Sequence, residues 1–380
     1  MGVVEGASVE APGTPLSLRD STEPSPISVG FNHVCGLLPE GEVRCWGSND
    51  WGQLGDGTRD ARENPERVSG ERLFHRISSG QRRSCALSEG QAFCWGSNRF
   101  GGLGDGTGDD SGEPVPVAGG HSFAAISVGA RHACGLDQGG RVFCWGMNRQ
   151  GQLGDGTTED RHRPTPVSAE ASFTAVAAGL EHTCALGEDG TTYCWGSNHL
   201  GQLGHGERSD METAPVPVET DLAFSILSVG YNVSCALTDD GSAYCWGPNH
   251  TGALGDGTDE LRTIPTAVDG GHAFRTISVG QLHVCGLDQD GGSHCWGLNS
   301  RGQLGDGTRT SRNTPTRVES EVSFDFLSVG GRQSCGVTVG GQVFCWGRDP
   351  NEPLGGEGET DRLEPAPVAE GIAFGVPAVP

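Results

Sequence analysis

Along the chain, short apolar runs alternate with glycine-rich polar turns, and no stretch carries a helical period. One window begins Phe123-Ala-Ala-Ile-Ser-Val-Gly129 and continues Ala130-Arg131-His132-Ala133-Cys134-Gly135-Leu136. A Gln138-Gly139-Gly140 turn leads into Arg141-Val-Phe-Cys-Trp-Gly146. The loop Gln150-Gly-Gln-Leu-Gly-Asp-Gly-Thr157 and a short Pro164-Thr-Pro-Val167 run complete it. Strand-length runs bounded by such turns predict three or four short antiparallel strands forming one small sheet.

The window recurs. Cysteines fall in pairs: Cys35 and Cys45, Cys85 and Cys94, Cys134 and Cys144, Cys184 and Cys194, Cys235 and Cys245, Cys285 and Cys295, Cys335 and Cys345. Each second cysteine is followed by Trp-Gly, which places Trp46, Trp95, Trp145, Trp195, Trp246, Trp296 and Trp346 at one repeat position. Successive tryptophans are 49, 50, 50, 51, 50 and 50 residues apart. Seven copies at that period make a repeat architecture rather than two or three separate domains.

The register follows from the hairpin. Pairing Cys35 with Cys45 sets Gly36 opposite Arg44 and Val34 opposite Trp46. In the second copy the turn is one residue shorter, so Cys85 faces Cys94 and Ala86 faces Phe93. The residue after each first cysteine is Gly or Ala, and its partner is usually aromatic (Phe93, Phe143, Tyr193, Tyr244, Phe344). That pairing predicts a ring lying over a missing side chain. The cysteines then share the opposite face. The N-terminal Pro26-Ile-Ser-Val-Gly30 matches Ala125–Gly129 without the preceding phenylalanine, and Glu364-Pro-Ala-Pro-Val368 with Phe374 supplies the missing half. A blade shared by both termini is therefore expected to close a circular array. Residues 1–25, rich in Pro, Ser, Thr and Glu, read as a disordered tail, and 26–380 as the repeat domain.

Composition narrows the reading further. Of 380 residues 64 are glycine, which excludes a coiled coil or helical bundle, and no run approaches the length of a membrane span. There are 25 basic and 49 acidic residues, net charge −24, and every basic residue is arginine. Such a chain repels a phosphate backbone, so no nucleic-acid partner is expected. The absence of lysine beside abundant Gly, Ala, Pro and Arg points to a GC-rich, bacterial source.

The recurrent Gly-x-x-His-x-Cys-x-Leu (Gly129 to Leu136), Trp-Gly-x-Asn (Trp145 to Asn148) and Gly-Gln-Leu-Gly-Asp-Gly (Gly151 to Gly156) resemble the regulator-of-chromosome-condensation repeats. The resemblance covers residues 26–374 and implies an all-β, seven-bladed β-propeller. It does not choose a function, since relatives include a GTPase exchange factor, a photoreceptor, a secreted enzyme inhibitor and receptor ectodomains.

Directly opposed thiols on adjacent strands are positioned for disulfides, with reduced buried cysteines as the alternative; zinc would want a C-x2–4-C spacing that does not occur. Seven matched pairs point to an oxidising compartment, extracellular or periplasmic, although Met1-Gly-Val-Val-Glu has neither the basic segment nor the apolar core of a signal peptide. His33, His132, His182 and His283 recur at one position, where a hydrogen bond to a neighbouring strand outweighs a metal role. Asp56, Asp105, Asp155, Asp256 and Asp306 lack the alternating carboxylates of a calcium loop and read as turn residues. No catalytic motif, cofactor motif or metal site is legible. Sequons stand at Asn232-Val-Ser234 and Asn249-His-Thr251.

Function is sought where the copies differ. After each Gly of Gly-x-x-His the chain reads Phe31-Asn32, Gln81-Arg82, Ala130-Arg131, Leu180-Glu181, Tyr231-Asn232, Gln281-Leu282 and Gly331-Arg332. After each Trp-Gly-x-Asn it reads Asp50-Trp51, Arg99-Phe100, Arg149-Gln150, His199-Leu200, His250-Thr251, Ser300-Arg301 and Pro350-Asn351. Hairpin geometry sets both series on one face of the ring. They hold six arginines against two acids, together with Phe31, Trp51, Phe100 and Tyr231. Arginine and aromatics are the residues of interface hot spots. The expectation is a non-catalytic, exported, monomeric propeller that docks a protein partner on this face, as an inhibitor in one form. Exchange regulation of a small GTPase is the first alternative, against which the tail offers no basic arm. An enzyme with a central-channel site is the second, against which the inner strands read Ile-Ser-Val-Gly.

Overall fold

A computed structural model describes residues 25–349, 361–369 and 371–377. The expected tail, apart from Ser25, and the Pro350-Asn351 dipeptide lie outside the described residues. Seven four-stranded antiparallel sheets follow one another in chain order and close into a ring. In the first, β1 (Ile27–Val29) is innermost, followed outward by β2 (His33–Leu37), β3 (Val43–Gly47) and β4 (Arg62–Arg67). The outer strands are rich in charge and carry proline, for example Arg-Glu-Asn-Pro-Glu-Arg in β4. Proline and charge are tolerated there and blunt an edge against further pairing.

The expected register is observed. Gly36 pairs with Arg44 and Val34 with Trp46, and in the second blade Ala86 pairs with Phe93. All seven cysteine pairs are disulfides within their own hairpins. Cys35 is bonded to Cys45, Cys85 to Cys94, Cys134 to Cys144, and Cys184 to Cys194. Cys235 is bonded to Cys245, Cys285 to Cys295, and Cys335 to Cys345. The Cα atoms of a pair lie 4.1 Å apart in the first blade and 4.0 Å in the second. Every bridge is buried, so Cys144, Cys194, Cys245 and Cys295, like their partners, serve the core and offer nothing to a ligand. One packing detail differs from expectation. The ring over Gly135 belongs to Phe123 at the start of the inner strand, not to the cross-strand partner Phe143, which meets Phe123 edge-on at 6.2 Å. Phe274 and Phe324 cover Gly286 and Gly336 in the same way.

The core lies between blades. The first disulfide packs with Leu54 and Val68 against Phe74, Phe93 and Trp95 of the second blade. Each Cys-Trp-Gly tryptophan is buried, and Trp95, Trp145, Trp195, Trp246 and Trp296 donate their indole N–H to a backbone carbonyl of the preceding blade at 3.0–3.2 Å. The inner-strand serines add a second link, since Ser28, Ser78, Ser127, Ser228, Ser278 and Ser328 each accept a backbone N–H from the next blade. Lining the channel mouth, Gly30, Gly80, Gly129, Gly179, Gly230, Gly280 and Gly330 each lie against the carbonyl of the next glycine around the ring, so a Cβ at any of them would collide with that oxygen.

Closure is partitioned differently from the expected shared blade. Among the described residues no sheet takes strands from both ends; Arg362–Pro367 is the outer strand of the seventh blade, whose other strands precede it in sequence. What crosses is the short run that follows. Phe374 covers Gly36 and sits 5.7 Å from Trp46, and the Gly375 N–H donates to the Leu37 carbonyl at 2.9 Å. The first blade's missing phenylalanine is thus supplied from the other end of the chain.

Candidate functional site

The two variable series are held by the repeat frame. The Asn49 side chain bridges its loop, accepting from the Leu54 N–H and donating to Asp56 and Thr58. Asp56 in turn accepts from Thr58 and from Arg62. Burial alone would push the Asp56 carboxyl up, but these hydrogen bonds and the Arg62 charge outweigh it and hold it below the usual carboxylate range. Asp155, Asp256 and Asp306 repeat the arrangement, which makes these aspartates turn anchors. The same amide position occupies one sequon: Asn249 is buried and donates to Asp256 and Thr258. Gln53, Gln152, Gln202 and Gln303 then accept the N–H of Trp51, Gln150, Leu200 and Arg301, fixing the backbone of the variable residue.

The structure brings some of the variable residues together. The Arg82 guanidinium stands over the Trp51 ring at 4.9 Å, which joins the two series on one face. Phe100 lies beneath both Arg99, at 4.7 Å, and Arg149 of the next blade, at 5.2 Å. Phe100 also adopts a left-handed backbone (φ 65°). Its blade has Gly102 where four others have the glutamine that pins this loop. Arg131 is ion-paired with Glu181 of the neighbouring blade. Phe31 and Tyr231 meet across the channel mouth with centroids 5.9 Å apart, among Gln81, Ala130 and Gln281. Burial pushes the Tyr231 phenol well up, so it stays a neutral hydroxyl. Asp50 is exposed and accepts from Ser48. Leu180, Leu200, Leu282 and Arg332 are half-buried, the Leu180 N–H donating to the Tyr231 carbonyl of the next blade, and Arg301 is tied to Asp361 at 3.4 Å. The arginine-on-ring stacks therefore form an arc over the first three blades, while the Phe31–Tyr231 contact joins the first blade to the fifth.

The channel wall holds Ile27, Ser28, Ile77, Ser78, Ile126, Val176 and their counterparts, without a converging set of carboxylates or imidazoles among the described residues. The recurrent histidines are fully buried and each bridges to a hydroxyl of the next blade: His33 to Ser84 at 2.8 Å, His132 to Thr183 at 2.7 Å, His182 to Ser234 at 3.0 Å and His283 to Ser334 at 2.9 Å. Burial pushes His33 down to about 4 and the other three to about 3. At the far ends of the hairpins, sequence reasoning missed one group. His272, Asp288 and His294 each offer a ligand atom within 4.8 Å of the others. The legible signal was His294 itself, standing where other copies have Phe, Tyr or Arg.

Comparison with known proteins agrees with this architecture. A profile of the RCC1-like domain matches residues 2–230, and profiles of the regulator of chromosome condensation (RCC1) repeat match 240–287 and 290–337, and 224–252 and 274–303. No curated protein matches significantly. Among solved structures, the chain is similar to Prp20p of Saccharomyces cerevisiae, with 24% identity, 80% of each chain covered and a TM-score of 0.73. It is also similar to human WBSCR16 (21% identity, 86% of this chain and 94% of that one, TM-score 0.76). The ectodomain of the Physcomitrella patens receptor kinase CR4 is a third (23%, 85% and 73%, 0.58). At these identities the likeness speaks for the fold alone.

Proposed function

This chain belongs to the RCC1 repeat family, and from that premise we propose that it is a non-catalytic binding propeller for an oxidising compartment, which docks a protein partner on its Arg/aromatic face. The observation that carries the reading is the arc of stacked groups, Arg82 on Trp51 and Arg99 with Arg149 on Phe100. Each guanidinium is displayed on an aromatic ring, a preorganised arrangement that lowers the entropy lost when a partner covers it. The arc stands out from a chain of net charge −24, so it would favour an acidic or carboxylate-bearing patch. Described cysteines are all paired, which fits extracellular or periplasmic residence. A protein-binding use of the same fold is on record for Prp20p, whose structure was described with its binding to Gsp1p and histones.

The test is a pull-down with the disulfide-intact chain as bait, followed by affinity measurement on the partner recovered. Trp51→Ala, Phe100→Ala and Arg82→Ala should each leave stability within about 0.5 kcal/mol. Each should weaken binding by about 2 kcal/mol if it lies at the centre of the contact. A triple variant that binds the partner unchanged would refute the face assignment.

A further inference from the structure

The His272, Asp288 and His294 group lies at the end of the sixth blade opposite the Arg/aromatic face, since Asp288 and Ser293 bracket the far turn of its hairpin. The His272 and His294 rings approach to 4.3 Å between centroids, and His294 Nδ1 lies 3.6 Å from Asp288 Oδ2. That Nδ1 is buried and has no hydrogen-bond partner. The other Asp288 oxygen accepts the Gly292 N–H at 2.6 Å, which orients the carboxylate. Two imidazoles and a carboxylate on one side of a shared space form the donor set of a three-ligand transition-metal site.

The third blade provides a control within the same molecule. It has His121 and Asp137 at the matching positions, and Asp137 accepts the Arg141 N–H as Asp288 accepts that of Gly292. There, however, the second carboxylate oxygen is bound by the Arg141 guanidinium at 2.7 Å, and the third ligand position holds Phe143. In the sixth blade Gly292 replaces that arginine and His294 replaces that phenylalanine. Two departures from the third blade's pattern in one copy both open the site.

We propose that His272, Asp288 and His294 bind one zinc-class divalent ion, with the remaining coordination position open to water. Imidazole nitrogens select zinc, cobalt or nickel over calcium and magnesium, which take oxygen donors. Tetrahedral coordination needs donors about 3.3 Å apart, from metal–ligand bonds near 2.0–2.2 Å. The donors lie within 4.8 Å of one another, and closing to the tetrahedral spacing falls to His272, which is half-buried against the Phe274 ring at 5.4 Å and the His294 ring at 4.3 Å and lies between exposed Gly271 and Ala273. Arg317, paired across from His294, opposes a cation, but it is exposed and its charge is screened by solvent.

The experiment titrates Co2+, then Zn2+, into the full disulfide-intact chain. The expected result is one equivalent of Co2+ with visible bands of a low-symmetry, four-coordinate site, displaced by Zn2+. His294→Phe restores the residue found at Phe143 and Phe344, so it should fold with an unchanged melting temperature, and it should bind more than about tenfold more weakly. His272→Ala should do the same. A wild-type chain that takes up no Co2+, or a His294→Phe chain that binds it as tightly as wild type, overturns the proposal. Neither outcome bears on the docking face, whose test uses residues of other blades.

Discussion

Residue by residue, neighbouring blades are matched by chemistry. A histidine occurs before the first cysteine only where the next blade offers a hydroxyl: His33 faces Ser84, His132 faces Thr183, His182 faces Ser234 and His283 faces Ser334. The three copies without histidine, at Arg83, Val233 and Gln333, precede blades with Ala133, Val284 and Val34 at that position. A buried imidazole without its partner would carry a desolvation cost, so both residues change together. Arg83 solves the same position differently. It is fully buried, pushed down to about 10 by burial against the pull of Asp110, and occupies the space left by Gly102, where a Cβ would collide with its guanidinium. The histidines also set an acid limit. Their folded values near 3 to 4 lie below the unfolded 6.5, so the unfolded chain binds more protons between those values. Stability is complete above pH 6.5 and falls as pH drops toward 4, by up to about 1.4 kcal/mol per pH unit for each histidine. Urea midpoints measured from pH 7 to 4.5 should fall, and His132→Gln should flatten that slope; an unchanged slope would contradict the burial argument.

Within each hairpin, alternation decides the packing: cysteine faces one neighbour while glycine and tryptophan face the other. A disulfide closing so short a loop restrains the unfolded chain by about 2–3 kcal/mol on the entropy model. Trp145→Ala should cost about 3–5 kcal/mol by opening a cavity, read from denaturant midpoints. Trp51→Ala and Phe100→Ala should not, which separates packing from display. This much was legible in the chain, because period-two alternation and a fixed turn length leave one register. The blade count, cysteine pairing and turn role of Asp56 followed from it. What was not legible depends on which blade lies beside which. The phenylalanine covering Gly135 comes from the strand start rather than the paired strand, and sequence spacing does not order two rings near one void. The stacking of Arg149 on Phe100 and the meeting of Phe31 with Tyr231 likewise join residues of different blades. The His272 group escaped because its members are brought together by a strand start and a turn, not by a local motif.

Around the ring, closure among the described residues is made by side chains and single backbone bonds rather than by a shared sheet. Phe374 does for the first blade what Phe123 does for the third, although it lies six residues from the end of the chain. Phe374→Ala should therefore cost about 3–5 kcal/mol, as an internal core phenylalanine does, whereas a frayed terminus would give no change in melting temperature. The pairing of each histidine with the next blade's hydroxyl has a consequence for how such a ring can be rebuilt. If a copy were duplicated, deleted or exchanged as one whole four-stranded blade, every contact inside the sheet would travel with it, but both junctions would be new. Moving the blade with His182 to precede Val284 would strand a buried imidazole, while moving it to precede Ser334 would not. The heritable module is thus the boundary between two copies, and recombination among these repeats is constrained by a grammar of adjacency rather than by the fitness of any copy alone.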